Sequence, residues 1–403
     1  MSTQTKSKIF FDKIHGYIKV DPLALSIIDT IEFQRLRFIK QTGILNYVFP
    51  TAEHTRFEHS IGTYYLSQLI LNCLKVNQNE ISITSSIEKV VTIAALCHDL
   101  GHVIFSHLFD DLFLKDSDNP LSIHENRSVF ILSNIIKKYN IQISHDELTV
   151  IKDLINPSES NYDLWDEKFK KGKWIFEIVS NNYCHLDVDK FDYIVRDSNS
   201  IGLSYNIDYS RIIQQATILE GLDGKYHIHY PIQALDDIKE VFYTRYRLHK
   251  NIYNHKAVKG IEIYIIKILE ELDKILNIRE WICDQNKVLE LLDPLIISNL
   301  NNPVIKFYYD KIIRREFPKL SQEFVDKEYF KEHVSQVGKN EIIMKFKIGL
   351  INKKENPLDL VPFYSVKDNK PKSVINTSIP QMMYGNKKIS EEHLEFITRI
   401  YRD

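Results

Sequence analysis

The sequence predicts a mainly α fold: a large helical core over residues 1–277 and a smaller α+β lobe over 278–403. Three observations predict it. Apolar residues recur at helical spacing through most of the first 270 or so positions. Near Ser335 the texture changes, and EIIMKFKIGL alternates as a strand does. A chain of 403 residues is also long enough to bury one large core and carry an appended lobe.

Taken in order, Asp21-Pro22 supplies an N-cap and a first helical position. The segment that follows runs through Arg35, Leu36, Phe38 and Ile39 to a stop at Gly43. A second helix starts near His59, with Ile61, Tyr65, Leu66, Leu69 and Ile70 on one face. A third runs from Ile87 into His98, and its nearly all-apolar character marks a helix buried on most sides. Helical patterns also cover 124–139, 145–155, 172–181, 186–197 and 234–277. Residues 278–334 are mixed and resist division. PFYSVK and KSVINTS read as further strands, and SEEHLEFITRIY reads as a closing helix capped at Ser390.

Composition excludes several classes. With 52 basic and 54 acidic residues the net charge is −2, which gives no general attraction to nucleic acid or an anionic membrane. Tracts such as KIIRR (311–315) are ordinarily solvated faces, so nucleic-acid binding stays unsupported. Cys73, Cys97, Cys184 and Cys283 form no CxxC pair, which argues against disulfides and a thiolate zinc site. No targeting peptide is visible, and the longest apolar run (Val90–Cys97) is too short to span a bilayer. A soluble protein of the cytoplasm or nucleus is expected, with no membrane partner.

The chemistry concentrates in Cys97-His98-Asp99-Leu100-Gly101-His102-Val103-Ile104-Phe105-Ser106-His107-Leu108-Phe109-Asp110. Imidazole and carboxylate are the ligands of borderline and hard divalent ions. Adjacent His98 and Asp99 at a helix end can reach one ion, His102 lies one turn on, and Gly101 lets the chain approach closely. An isolated His-Asp pair is more often a capped helix end in an ordinary core; His102, His107 and Asp110 reverse those odds. Two further knots offer partners. In Arg56-Phe57-Glu58-His59-Ser60 a histidine sits beside an arginine suited to phosphate. Asp187-Val188-Asp189-Lys190-Phe191-Asp192-Tyr193-Ile194-Val195-Arg196-Asp197 sets acids and a lysine among apolar residues. Either alone would be a satisfied histidine or a salt-bridged face.

Together these stretches resemble the HD-domain phosphohydrolases, and within them the deoxynucleoside triphosphate triphosphohydrolases. The likeness is to the catalytic core of the animal branch that carries a sterile-alpha-motif module. KIFFDKIHGYI, IIDTIEFQRLRFIKQTG, YVFPTAEHTRFEHSIG, IAALCHDLGHVIFSH, DVDKFDYIVRD, TRYRLHKNIYNHK and NPLDLVPFYSV match in order from residue 8 to about 375. Only seven residues precede the match, so no sterile-alpha-motif module is expected in this sequence. The resemblance implies an HD-type helical core and a catalytic ion of iron, manganese or zinc held by His59, His98, Asp99 and Asp189. It implies that His102, His107, His124 and Asp110 line the α-phosphate, with Asp110 orienting the His107 ring. Arg56, Lys190, Tyr193, Arg245 and His249 match positions around the triphosphate, where magnesium can accompany the phosphates. Gln41, Asp197 and Tyr253 match positions around the sugar. The implied reaction is hydrolysis at the α-phosphorus of a dNTP, giving a deoxynucleoside and inorganic triphosphate. The family has leucine where this chain has Thr42, which makes that side of the sugar slot partly polar.

The resemblance also implies activation by GTP or dGTP and assembly into a dimer or tetramer. Lys8, Asp29, Gln34, Arg37, Val48, Phe49, His255 and Lys256 match the activator pocket. A neighbouring dNTP pocket departs from the family: Phe11 replaces asparagine, and Pro231, Gln233 and Asp237 stand in place of arginine, lysine and asparagine. Two other readings use the same residues. Another HD enzyme, a nuclease or signalling-nucleotide hydrolase, would release different products. A non-catalytic nucleotide or nucleic-acid sensor would be expected to have lost part of the metal set, and none of the four ligand positions is substituted.

Overall fold

The structure, a computed structural model, describes residues 6–77, 81–204, 207–221, 223–332, 338, 341–351, 356–365, 373–374 and 394–402. The first element is one the periodicity does not announce, an antiparallel hairpin of β1 (Lys8–Asp12) and β2 (Gly16–Val20). Its inner face buries Ile18 and Val20, while Ile9, Phe11 and Tyr17 face outward. Apolar residues on both faces erase the alternation that would have marked it.

Asp21 caps as predicted, accepting from the Leu23 and Ala24 amides ahead of α1 (Pro22–Ile28). The single helix expected from there to Gly43 is a correction. The chain breaks at Asp29, Thr30 caps a short α2 (Ile31–Gln34), and a 3-10 turn follows over Arg35–Phe38. Thr30 Oγ1 takes the Phe33 amide and gives its own proton to Ile27 O, so a capping side chain competes with helix continuation.

The core is then built from α3 (Arg56–Asn77), α4 (Ser85–Cys97), α5 (His124–Tyr139), α6 (His145–Ile155) and α7 (Val188–Ser200). α3 packs on α4 and α7, and α4 on α6. α4 is buried from Val90 to Cys97, which is why its sequence shows no polar face. Ser144 and Glu147 form a capping box for α6, and Asn140 closes α5 in the left-handed conformation. The helix expected over 172–181 is only a 3-10 turn at Lys173–Glu177.

After α8 (Tyr209–Gln214) and the hairpin β3 (Thr217–Glu220)–β4 (Tyr226–Pro231), the predicted 234–277 helix is also interrupted. α9 (Leu235–Leu248) passes into a π-turn at His249–Tyr253, and α10 (Lys256–Leu276) restarts with His255 as its N-cap. Short helices α11 (Ile278–Trp281) and α12 (Leu295–Ser298) and the longer α13 (Pro303–Ile313) fill the stretch that resisted division.

The closing lobe carries β5 (Lys319–Asp326), β6 (Glu341–Gly349), β7 (Phe363–Ser365), β8 (Ser373–Val374) and β9 (Leu394–Arg402). One sheet has the order β5-β9-β6; another joins β3-β4-β7-β8. The closing helix is therefore overturned: β9 is the central strand, antiparallel to both neighbours. Ser390 lies outside the described residues. Phe396, Ile397, Thr398, Ile400 and Tyr401 are β-formers, and both faces of the strand are covered, so no period of two survives to separate it from a helix. Among the described residues no helix is long and apolar enough to cross a membrane.

Candidate active site

α4 ends at Cys97, and the chain turns over His98–Asp110 against the first turns of α3, α5 and α7. Gly101 permits this approach: a Cβ there would stand 2.1 Å from His124 O and 2.4 Å from Ser128 N. Buried arginines hold the loop's carbonyls, with Arg35 donating to Leu100 and His102 and Arg127 to Gly101. Asp293, from the segment between α11 and α12, accepts from the Phe105 and Lys40 amides. Burial pushes its carboxyl up to about 6. Phe105 and Ser106 take left-handed backbone, φ 59° and 56°, a strain costing about 1–3 kcal/mol per residue that the surroundings must fix.

His59, His98, Asp99 and Asp189 come together in this turn. The Nε2 atoms of His59 and His98 are 3.3 Å apart. Asp189 Oδ1 lies 3.1 Å from the first and 3.5 Å from the second, and Asp99 Oδ2 is 3.4 Å from His59 Nε2. The outer nitrogens are engaged elsewhere, His98 Nδ1 donating to Ala95 O at 2.8 Å and His59 Nδ1 facing Asp192 Oδ2 at 2.8 Å. Both rings thus present a lone pair to one point between two carboxylates. That arrangement fits a single divalent cation with N and O ligands. Burial would push the His59 imidazole down, but Asp189 and Asp192 override it and hold it up at about 10. His98 is raised in the same way, by Asp99 and Asp189 against burial. The site thus attracts positive charge strongly, and a proton can stand where an ion would.

A second cluster adjoins the first through Asp99, whose Oδ1 is 3.4 Å from both His98 Nε2 and His102 Nε2. His102 and His124 stack at 3.9 Å between centroids, and His107 stands edge-on to both at 4.8 and 5.2 Å. Both ring nitrogens of His102 are buried without a hydrogen-bond partner. Burial, Arg56 and His124 hold His102 well below the usual histidine range, and burial, His124 and Arg56 lower His107. The two lowered rings, His102 and His107, thus stand near a cationic guanidinium. The expected pairing of Asp110 with His107 is corrected: Asp110 Oδ2 accepts from the His124 amide at 3.0 Å and lies 3.1 Å from its Nδ1, while Oδ1 takes Arg127. The π-turn at Phe109–Phe113 aims the carboxylate at the N-terminus of α5 rather than back along its own chain.

The other expected residues fall into three places. Arg56 is buried, with its guanidinium already donating to Ser106 Oγ, Asp99 and Gln41 O. Lys190 pairs with the N-cap Asp187 at 2.7 Å, and Tyr193 sits within the fields of Arg245 and Lys190. Arg245 donates to the Gly349 and Leu350 carbonyls. Burial, Arg245 and His107 hold His249 down, which puts it across from the histidine cluster. Gln41, Asp197 and Tyr253 are linked through His54: the Gln41 amide donates to His54 O at 3.0 Å, His54 Nε2 lies 2.6 Å from Asp197 Oδ1, and Tyr253 donates to Asp197. There the Gln41 Oε1 and Thr42 Oγ1 atoms are buried without partners.

The activator set divides. Lys8 pairs with Asp29 at 3.0 Å, Arg37 Nε donates to Gln34 Oε1 at 2.8 Å, and Arg37 lies 3.5 Å over the Phe57 ring. Phe49 meets His255 edge-on at 5.7 Å, with Val48 and Lys256 beside them in sequence. Among the described residues no hydrogen bond or ion pair joins the two groups.

Sequence reasoning missed His54, which bonds Asp197 at 2.6 Å, and it missed His15 and the use of Asp192. Their partners are 143 and 177 positions away, so no local spacing points to them.

The HD domain profile matches residues 56–169, which include His59, His98 and Asp99. HD domain-containing protein L394 of Acanthamoeba polyphaga mimivirus is 38% identical over 75% of this chain and 67% of its own. The deoxynucleoside triphosphate triphosphohydrolase SAMHD1 homolog of Dictyostelium discoideum is 31% identical over 99% of this chain and 78% of its own. Human deoxynucleoside triphosphate triphosphohydrolase SAMHD1 is 37% identical over 67% of this chain, and the match spans 45% of the human protein.

Proposed function

The chain belongs to the SAMHD1 family of deoxynucleoside triphosphate triphosphohydrolases, and on that premise we propose that it hydrolyses dNTPs at the α-phosphate to a deoxynucleoside and inorganic triphosphate. The observation that carries this is the shared Asp99, which welds the His59–His98–Asp189 cluster to the His102–His107–His124 cluster. An iron, manganese or zinc ion held by His59, His98, Asp99 and Asp189 would supply Lewis-acid polarisation of a phosphoryl oxygen. His102, kept neutral, has a single N–H, and that N–H would donate one hydrogen bond to the α-phosphate from a ring whose nitrogens lack a hydrogen-bond partner. Either His107 or His124, protonated once the anionic triphosphate is bound beside it, gives that proton to the departing 5′ oxygen; Asp110 fixes the His124 ring for such a transfer. Arg56, Lys190 and Arg245 supply positive charge for the triphosphate, with Tyr193 and His249 between them.

Gln41, Asp197 and Tyr253 would hold the sugar. A 2′-hydroxyl beside Thr42 would find a buried hydroxyl that lacks a partner. The proposal therefore includes weaker exclusion of ribonucleotides than an apolar slot gives. Replacing Thr42 by Leu is expected to sharpen discrimination by about tenfold. Asp29, Gln34, Arg37 and Lys8, with Val48, Phe49, His255 and Lys256, would form a GTP or dGTP activator site completed by a second copy of the chain.

The test is turnover of each dNTP and NTP, with and without GTP, analysed for products. Deoxynucleoside plus intact triphosphate is expected. Monophosphate with pyrophosphate would replace this reading with that of another HD hydrolase.

A further inference from the structure

We infer that His15, in the turn of the N-terminal hairpin, is a positioning residue for the metal ligand His59 and acts through Asp192. The inference rests on the proposed metal site and adds a part of the chain that the site's own residues do not include.

His59 Nδ1 is 2.8 Å from Asp192 Oδ2. A carboxylate only accepts, so Nδ1 carries the proton and Nε2 is left as the ligand atom. How well Nε2 is aimed then depends on how well Asp192 is held. Its side chain is fully buried, as is that of His15, and the other oxygen lies 2.6 Å from His15 Nε2. Arg196 grips both oxygens, Nε at 2.8 Å and one terminal nitrogen at 2.9 Å. Its other terminal nitrogen donates to Asp12 Oδ2 at 2.9 Å.

Asp12 and His15 belong to the same hairpin. Asp12 Oδ1 accepts from the Ile14 and His15 amides at 2.8 and 2.9 Å, which sets the turn. On its far side His15 Nδ1 is 2.8 Å from Tyr209 OH, at the start of α8. With Nε2–H donating to Asp192, Nδ1 accepts from the phenol, and every polar atom in the row is satisfied. Gly62 makes room for it on α3: a Cβ there would stand 1.9 Å from Asp192 Oδ1. The hairpin and three helices therefore converge on one carboxylate whose remaining bond aims a metal ligand. A mere staple for the hairpin would need Asp12 and Arg196, and not an imidazole wedged between Asp192 and Tyr209.

The experiment measures Mn(II) affinity of the metal-stripped full chain, the visible spectrum of the Co(II)-loaded protein, and the melting temperature in chelator. Replacing His15 by Phe fills the space and removes the donor; affinity is expected to fall about tenfold and the Co(II) bands to shift. His15→Gln, which can still donate to Asp192, is expected to recover most of that loss. Should His15→Phe not fold, Tyr209→Phe removes only the outer hydrogen bond and is expected to weaken Mn(II) about two- to threefold. Parent-like affinity and spectrum in the folded variants would overturn the inference, and so would equal losses in His15→Phe and His15→Gln. His98→Ala separates the two levels. If it also binds Mn(II) as the parent does, the metal site itself is misassigned; if it alone loses the ion, only the role of His15 fails.

Discussion

The metal cluster and the surface around Lys8 and Asp29 are both assemblies of opposite charges, yet they are built in opposite ways. At the cluster, the side chains of His59 and Asp99 are 0% and 5% exposed, and each group has a second protein partner behind it. At the surface, Lys8 and Asp29 are 56% and 49% exposed and hold mainly each other. Burial makes unpaired charge expensive, so the cluster must find its partners within the protein whether or not substrate is present. The exposed pair is screened by water and contributes about 0–1 kcal/mol. It can be taken apart cheaply by a ligand that offers better partners. The first region is preformed; the second is available.

The strongest test of that contrast removes a ligand from the preformed side. His98→Ala and Asp189→Ala are expected to lose the bound metal and to lower kcat by about 10³-fold or more, since several kcal/mol of charge stabilisation go with the ion. Metal analysis and product release measure both. The parent, but neither variant, should also lose thermal stability on chelation, by about 2.7 kcal/mol when free metal had stood at 100 times its dissociation constant. A variant that keeps metal and turnover breaks the comparison at its root.

Within the second histidine cluster the effects should be graded. His107→Ala is expected to reduce kcat about 10²-fold if it transfers the proton. Asp110→Asn should cost about tenfold, because it loosens His124 and its buried bond to Arg127 without removing a ring. Both losses should fall on kcat and leave KM within about twofold, as steady-state kinetics would show. The reverse order would assign the proton to His124.

How much of this was legible in the sequence follows the same divide between local and distant causes. α5 and α6 match the predicted 124–139 and 145–155 spans because an amphipathic stripe, a capping box and a left-handed Asn140 are all local signals. His98, Asp99 and His102 stood out because one turn of chain carries them. The strand β9 was misread because a central strand covered on both faces has no alternation to show. The break at Thr30 and the π-turn at His249–Tyr253 are decided by side-chain caps and packing that periodicity does not record. Asp192 was visible only as one acid among several, since its role depends on His59 and His15, 133 and 177 positions away.

On the available side, Asp29→Ala and Arg37→Ala should leave metal content unchanged and shift stability by no more than about 0.5 kcal/mol. They should nonetheless abolish any stimulation by GTP, read as the ratio of rates with and without it. A large fall in melting temperature would mean that the exposed pairs hold the fold after all, and the contrast would collapse.

The smallest expected effect asks where a pair of intermediate exposure falls. His227 on β4 lies 2.5 Å from Glu177 through Nδ1 and 3.2 Å from Asp223 through Nε2, and it stacks on Tyr183 at 4.3 Å. The Ile228 amide donates to the same Glu177 at 2.9 Å, so the pair ties β4 to the 3-10 turn at Lys173–Glu177. Burial pulls His227 down, but Glu177 and Asp223 override it and raise it above the ordinary histidine value. Burial pushes Asp223 up, and the bond from His227 overrides it and lowers it below the ordinary carboxyl value. A raised histidine contributes stability that is complete below its unfolded value, about 6.5, and is lost as pH rises through the folded one. A lowered carboxyl contributes above its unfolded value, about 3.9, and loses it as pH falls. The clamp should therefore be tightest between about pH 4 and 6.5 and loosen above. Because Asp223 is 45% exposed, water screens the pair and the change should be about 1 kcal/mol or less. Hydrogen exchange at the Ile228 amide, corrected for intrinsic rate, should show the local opening energy declining as pH rises above about 6.5. In His227→Gln that decline should vanish, while exchange near His59 stays as it was. A flat profile in the parent would place this pair with the screened surface, not with the buried core.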